Sequence, residues 1–123
     1  DAVQLANIAK QIQFASGKAT ILKASFATLD NLVALMNEFP DTKISIEGHT
    51  DNVGNPAANK KLSQQRADAI KKYLVKKKIA ADRMTAVGFG QEKPADGSTD
   101  IKAANKTAAQ RAANRRVEIK SID

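Results

Sequence analysis

The sequence has no cysteine and no tryptophan, and only one histidine, one tyrosine and three prolines in 123 residues. Without cysteine there are no disulfides and no thiolate metal ligands, although an oxidising compartment remains open. Aromatics make up 4% of residues, so the stacking platform used by single-strand nucleic-acid binders is poorly supplied. A single histidine, with no serine placed beside a base, leaves little for nucleophilic catalysis. No apolar run approaches the roughly 20 residues of a membrane-spanning helix, and the first residues lack the basic, apolar and small-residue order of a signal peptide. The chain opens on Asp1 rather than Met, which reads as a mature or excised product and leaves room for a lost targeting segment or membrane anchor.

What is present suits one domain with a modest core, expected to span residues 1–123 with 1–10 as a lead-in. A net charge of +7 and a pI near 9.8 favour acidic partners: nucleic acid, anionic lipid or cell-wall polymer. Gln11-Ile12-Gln13-Phe14 alternates polar and apolar like a short strand, ended by Ser16-Gly17. Leu22, Phe26, Leu29, Val33 and Met36 then recur at helical spacing up to Pro40. Lys43 to Glu47 reads as a second strand and Gln64 to about Lys78 as a second helix. Ser63 is the expected N-cap of that helix, with Asn55-Pro56 as a rival start. The lysines at its end suit the negative helix terminus and read as a solvated face. Met84 to Val87 gives a third strand running into Gly88-Phe89-Gly90, Ala103 to Ala113 a short helix, and Arg115 to Lys120 a last strand. The expected fold is α+β: a mixed four-stranded sheet with helices packed against it, in βαβαβ(α)β order.

Chemistry concentrates between Ile44 and Arg66. A helix starting at Ser63 places Arg66 in its first turn, at the positive end of the dipole, where a cation calls for a nearby anion. Asp51 is one such anion and a ligand carboxylate is another. One acid and one base facing a shared loop suit a zwitterion such as an amino-acid head group; alternatively the two side chains simply pair with each other. Asn114 and Arg115, at the start of the last strand, are secondary candidates, since Arg115 shares the parity of Val117 and Ile119. Asp96, Ser98 and Asp100 alternate oxygen-bearing side chains as a hard-cation loop does. No glutamate stands where an EF-hand needs one, so the expectation is an ordinary exposed loop, with no metal and no cofactor. His49 with Asp51 or Glu47 is the only acid–base pair an enzyme reading can recruit, and a lone histidine at a strand end reads better as a structural group. The chain is not expected to be an enzyme.

Gly48-His49-Thr50-Asp51, Gly54, Asn59, Leu62-Ser63, Arg66-Ala67, Gly88, Gly90, Pro94 and Asn114-Arg115-Arg116-Val117-Glu118 together resemble the pattern of the OmpA C-terminal-like family, which includes the Pal lipoproteins and MotB. The resemblance runs from about Ile12 to Ile119. It implies a periplasmic domain of an outer-membrane protein in a Gram-negative bacterium, binding peptidoglycan non-covalently through the diaminopimelate residue of the stem peptide and so anchoring that protein to the wall. It also implies that Asp51 receives the ligand ammonium and Arg66 its carboxylate, that Thr50, Asn59, Leu62 and Ser63 shape the pocket, and that Asn114 and Arg115 lie near it. Outer-membrane association would come through the missing upstream region. Nucleic acid is not an expected partner, although a basic nucleic-acid-binding or protein-interaction module is the alternative. The small-residue segment 95–110 and Pro56 in the loop between Asp51 and Arg66 are departures that bear on ligand preference.

Overall fold

The structure is a computed structural model that describes residues 1–122; Asp123, the last residue of the expected domain, lies outside them. The first element is a helix: α1 spans Ala2–Gln11, closed at its start by a reciprocal capping box between Asp1 and Gln4. Such a box satisfies two of the amide donors that a helix start leaves free. Leu5, Ala9 and Ile12 are buried in a row along this helix and its C-cap. The chain is extended from Ile12, but it does not join the sheet as the expected first strand. Only Phe14 retains strand character, in an isolated antiparallel bridge to Ile21 across the Ser16-Gly17 turn.

Helix α2 (Ser25–Glu38) buries Leu29, Leu32 and Met36, as its apolar spacing requires. Strand β1 (Ile44–His49) follows, then α3 (Pro56–Lys76), β2 (Met84–Gly90), α4 (Ala108–Asn114) and β3 (Arg116–Ser121). The sheet therefore has three strands among the described residues, not four, in the order β2-β1-β3. β1 runs parallel to β2 and antiparallel to β3, so the sheet is mixed. The helical crossover from β1 to β2 demands the parallel pair, and the short return through α4 permits the antiparallel one.

Alternation divides this sheet into two faces. Ile44, Ile46 and Gly48 share one face with Met84, Ala86 and Gly88 across one ladder, and with Ile119 and Val117 across the other. This face meets α1, α2 and α3 and carries the core. Ser45, Glu47 and His49 share the opposite face with Arg116, Glu118 and Lys120. Among the described residues no helix is long and apolar enough to cross a membrane.

Helix α3 starts eight residues earlier than the Ser63 cap would set it. Asn55 caps it by accepting from the amides of Ala57 and Ala58, and Pro56 takes the first helical position, where a missing amide hydrogen costs nothing. Ser63 is instead fully buried inside the helix and sits on the sheet where Gly48 pairs with Gly88. A Cβ on Gly48 would stand 2.3 Å from the Ser63 carbonyl oxygen, and one on Gly88 2.2 Å from the Gln64 amide nitrogen. The glycines are therefore what lets α3 lie directly on the strands.

Polar side chains fix that contact. Ser63 Oγ accepts from Gly90 N at 2.9 Å and donates to Lys60 O at 2.8 Å. The Gln64 carboxamide accepts from Gly88 N and donates to Ala86 O, both at 2.9 Å. It thereby serves the open edge of β2 as a neighbouring strand would, which blunts that edge.

An arginine cleft between α3 and β3

With α3 seated in this way, Arg66 falls at the middle of the helix, so the dipole at a helix start plays no part in its environment. Its guanidinium is held from the other side of the cleft. Arg66 Nε donates to Lys18 O at 2.9 Å and Nη2 to Ala15 O at 3.4 Å, while the group lies 5.1 Å from the centre of the Phe14 ring. The turn that supplies both carbonyls needs Gly17 at φ 67°, a left-handed conformation natural to glycine. Burial lowers the Arg66 pKa, but an arginine stays charged throughout any working range. Among the described residues no carboxylate pairs with it, and Nη1 makes no hydrogen bond. The charge is positioned by dipoles and a ring face and left unneutralised.

Asp51 does not pair with Arg66. It is 8% exposed; Oδ1 accepts from Val53 N at 3.0 Å, and Oδ2 lies 2.6 Å from Arg115 Nη1. Arg115, whose side chain is 50% exposed, lines a cleft of about 340 Å3 together with Arg66, Phe14, Gly17 and Val117. Asp51 stands behind Arg115 and reaches the cleft through it. Arg66, Arg115 and Arg116 thus line one small cavity; Arg115 is bonded to Asp51 and Arg116 to Glu118.

The other expected site residues support this arrangement without lining the cleft. The Thr50 hydroxyl donates to Asp51 O and the Thr50 amide to Gly90 O, turning the chain out of β1. Asn59 Nδ2 donates to Val53 O at 3.0 Å and makes longer contacts of 3.4 Å to Asp51 O and Gln91 Oε1, which holds the loop carrying Asp51. Leu62 is half-buried on α3, and Ser63 serves the sheet contact described above. Asn114 is buried: it accepts from Ala95 N and donates to Ala104 O and Asn105 Oδ1, gathering the irregular 95–105 segment under the base of β3. Thr50, Asn59, Leu62 and Ser63, expected to shape a pocket, and Asn114, expected near it, do not line this cleft; Thr50 and Asn59 hold the loop that carries Asp51. Phe14 and the Ala15 and Lys18 carbonyls were not foreseen. Two of these are backbone groups, which carry no side-chain signal in a sequence.

Two other expectations resolve locally. Asp96, Ser98 and Asp100 accept from the amides of Ser98, Asp100 and Ala103, as oxygen-bearing turn residues commonly do. His49 is 2% exposed, and its pKa falls to about 4 through burial and then the Arg116 charge, against the opposing pull of Glu118 and Glu47. It is an enclosed ring turned away from the cleft, with no hydrogen-bond partner among the described residues.

The fold and the cleft define a small α+β domain with a cationic recess at the ends of its central strands. The chain belongs to the OmpA family, whose model matches residues 13–115. It is 40% identical over 115 residues to outer membrane porin F of Pseudomonas fluorescens, covering 94% of this chain and 33% of that protein. It is 36% identical over 108 residues to the peptidoglycan-binding protein ArfA of Mycobacterium bovis, covering 88% of this chain and 31% of that protein. Among solved structures, the peptidoglycan-associated lipoprotein from Burkholderia pseudomallei superposes with a TM-score of 0.71 at 28% identity, covering 89% of this chain and 86% of that one. The chain spans about a third of the length of the porin and ArfA relatives.

Proposed function

We propose that this domain binds peptidoglycan non-covalently, taking the zwitterionic end of the diaminopimelate residue of a stem peptide into the Arg66 cleft. The observation that carries the reading is Arg66 itself, a cation held in place by carbonyls and an aromatic ring, with no carboxylate partner among the described residues. Its free N–H groups form a planar fork matched to a ligand carboxylate. Asp51 receives the ligand ammonium on the oxygen that Arg115 now holds. Arg115, half-exposed, swings toward solvent or a second acceptor as the ligand enters. The relatives named for peptidoglycan support this reading. On the same reading the domain is periplasmic and tethers an outer-membrane protein of a Gram-negative cell to its wall.

The test is sedimentation with purified diaminopimelate-type sacculi at near-physiological salt, comparing the wild type with Arg66→Ala, Arg66→Lys and Asp51→Ala. Losing a charge-assisted hydrogen bond of this kind costs about 1.5–3 kcal/mol, so binding should fall by about tenfold or more in both alanine variants. Arg66→Lys should restore little of it, because lysine keeps the charge and loses the fork. Circular dichroism should be unchanged and no soluble wall fragments should appear. Equal pelleting of all four proteins would sink the assignment and leave general attraction between a basic protein and an acidic polymer, the case in which nucleic acid binds with the same steep salt dependence.

A further inference from the structure

The opposite face of the sheet holds a second polar constellation that the cleft does not use. In the β1–β3 ladder Glu47 stands directly across from Glu118, and His49 across from Arg116. Like charges placed directly opposite each other destabilise a sheet, so this pairing needs a cation. Lys120 supplies part of it, with Nζ 3.3 Å from Glu47 Oε1 and 3.4 Å from Glu118 Oε1, and Arg116 Nε bonds Glu118 Oε2.

His49 is the unexplained member. It is 2% exposed, yet neither ring nitrogen has a hydrogen-bond partner among the described residues. Leaving such a group unpaired in the interior is unfavourable unless something else satisfies it. The ring is fixed rather than loose: the β1–β2 register slips between Gly48 and His49, and the Phe89 ring stacks on the imidazole at 5.4 Å. Its Nε2 points between the two acids, 3.6 Å from Glu47 Oε1 and 3.9 Å from Glu118 Oε2. These distances are too long for hydrogen bonds. They are close to the separation of two ligands on one metal, because nitrogen and oxygen donors at about 2.0–2.2 Å from a tetrahedral centre lie roughly 3.3–3.6 Å apart.

We infer that Glu47, His49 and Glu118 form a binding site for a divalent transition cation such as zinc, on the sheet face opposite the arginine cleft. One imidazole and two carboxylates are a common zinc donor set, with the fourth position left to water. The ligand atoms already lie within 4.8 Å of one another, so binding requires a closure of less than the width of an atom and the withdrawal of two cations. Lys120 is the easier to move, since its side chain is 55% exposed. A cation here replaces the Lys120 bridge, neutralises the facing carboxylates and gives the imidazole its missing partner. The sequence conceals such a site because two of the ligands are alternate residues of one strand and the third arrives from the far end of the chain. A neighbouring hollow of about 520 Å3, bordered by Lys93, Pro94 and Ser98, gives the cation access from solvent.

The chain makes a clean test possible, because it has one histidine and no cysteine. Prepared without a histidine tag, the protein is titrated with zinc chloride by calorimetry, while the nitrogen and ring-proton resonances of the single imidazole are followed by NMR. One equivalent of zinc should bind and shift both sets of resonances, and magnesium should not reproduce the shift. Cobalt should give a visible band of tetrahedral or five-coordinate type. Glu118→Gln, at a half-exposed position that leaves the fold intact, should weaken zinc by about tenfold or more. Lys120→Gln should tighten it by removing a competitor. Imidazole resonances unmoved at millimolar zinc would overturn the inference. So would affinity unchanged in Glu118→Gln, since that places the metal on unrelated surface carboxylates.

Discussion

The two faces of one short strand have opposite electrostatic designs. Beyond its end, β1 delivers Asp51 toward a cleft where the charges come from distant elements: Arg66 from mid-α3, Arg115 from the joint between α4 and β3, and carbonyls from the Ala15–Lys18 turn. On the other face, Glu47, Glu118, Arg116 and Lys120 come from two strands in direct register and balance one another within a few ångströms. The matched set stabilises the sheet and leaves its histidine without a hydrogen-bond partner among the described residues. The unmatched set holds a guanidinium in place without neutralising it, and that surplus is what a ligand carboxylate can use. Charge count alone does not mark a binding site; the absence of an internal counter-charge does.

The comparison breaks most completely at Gly48, which lies between the two regions. Gly48→Ala forces a methyl group into the Ser63 carbonyl, where backbone on both sides prevents easy relief. Overpacking usually costs 1–3 kcal/mol, and more where backbone is involved, so a loss of about 3 kcal/mol or more is expected in urea unfolding. Sacculus binding should fall with it, since α3 carries Arg66. A cost below about 1 kcal/mol would mean that α3 is not seated on the glycine pair at all.

A smaller step separates seating from charge. Ser63→Ala leaves the helix intact and removes the acceptor for the buried Gly90 amide. An unsatisfied buried donor costs about 1–3 kcal/mol. The expected result is that amount of lost stability with sacculus binding nearly retained at low temperature, where the domain remains folded. Binding lost in proportion to Arg66→Ala would instead make Ser63 part of the wall, as its place in the family pattern had implied.

That exchange between Ser63 and Asn55 shows how much of the molecule could be read from its residues. Helix α2, the strand into His49 and the pattern through Asp51 and Arg66 were legible because periodicity and motif agreed there. Ser63 looks like a cap because serine before a helical run usually is one, but Asn55 followed by Pro56 offers two amide bonds and a pre-set first residue, and it wins. Gln11 to Phe14 alternates like a strand, yet Leu5, Ala9 and Ile12 form a helical row starting from a capped Asp1; four alternating residues do not outweigh it. The aspartate–arginine relation was legible only as a choice between two outcomes, and the direct pair is not the one that forms. Asp51 is paired, but with Arg115 across 64 positions of sequence, a contact that no local spacing encodes.

The smallest expected effect tests whether the two faces are functionally distinct. Lys120→Gln removes one positive charge from the matched face, at a side chain more than half exposed. Exposed ion pairs are worth about 1 kcal/mol or less, and Glu118 keeps Arg116, so stability should change by about that much or less. Sacculus binding should be indistinguishable from wild type, although the variant loses the same unit of charge as Arg66→Ala. Net charge is then equal in the two variants and only its location differs, which makes them a direct control for each other. If Lys120→Gln released the protein from sacculi as Arg66→Ala is expected to, the wall would be sensing the basic character of the whole surface, and the unneutralised guanidinium in the cleft would lose its special standing. If it stays bound while Arg66→Ala is released, recognition follows from where a charge is left unmatched rather than from how many charges the domain carries.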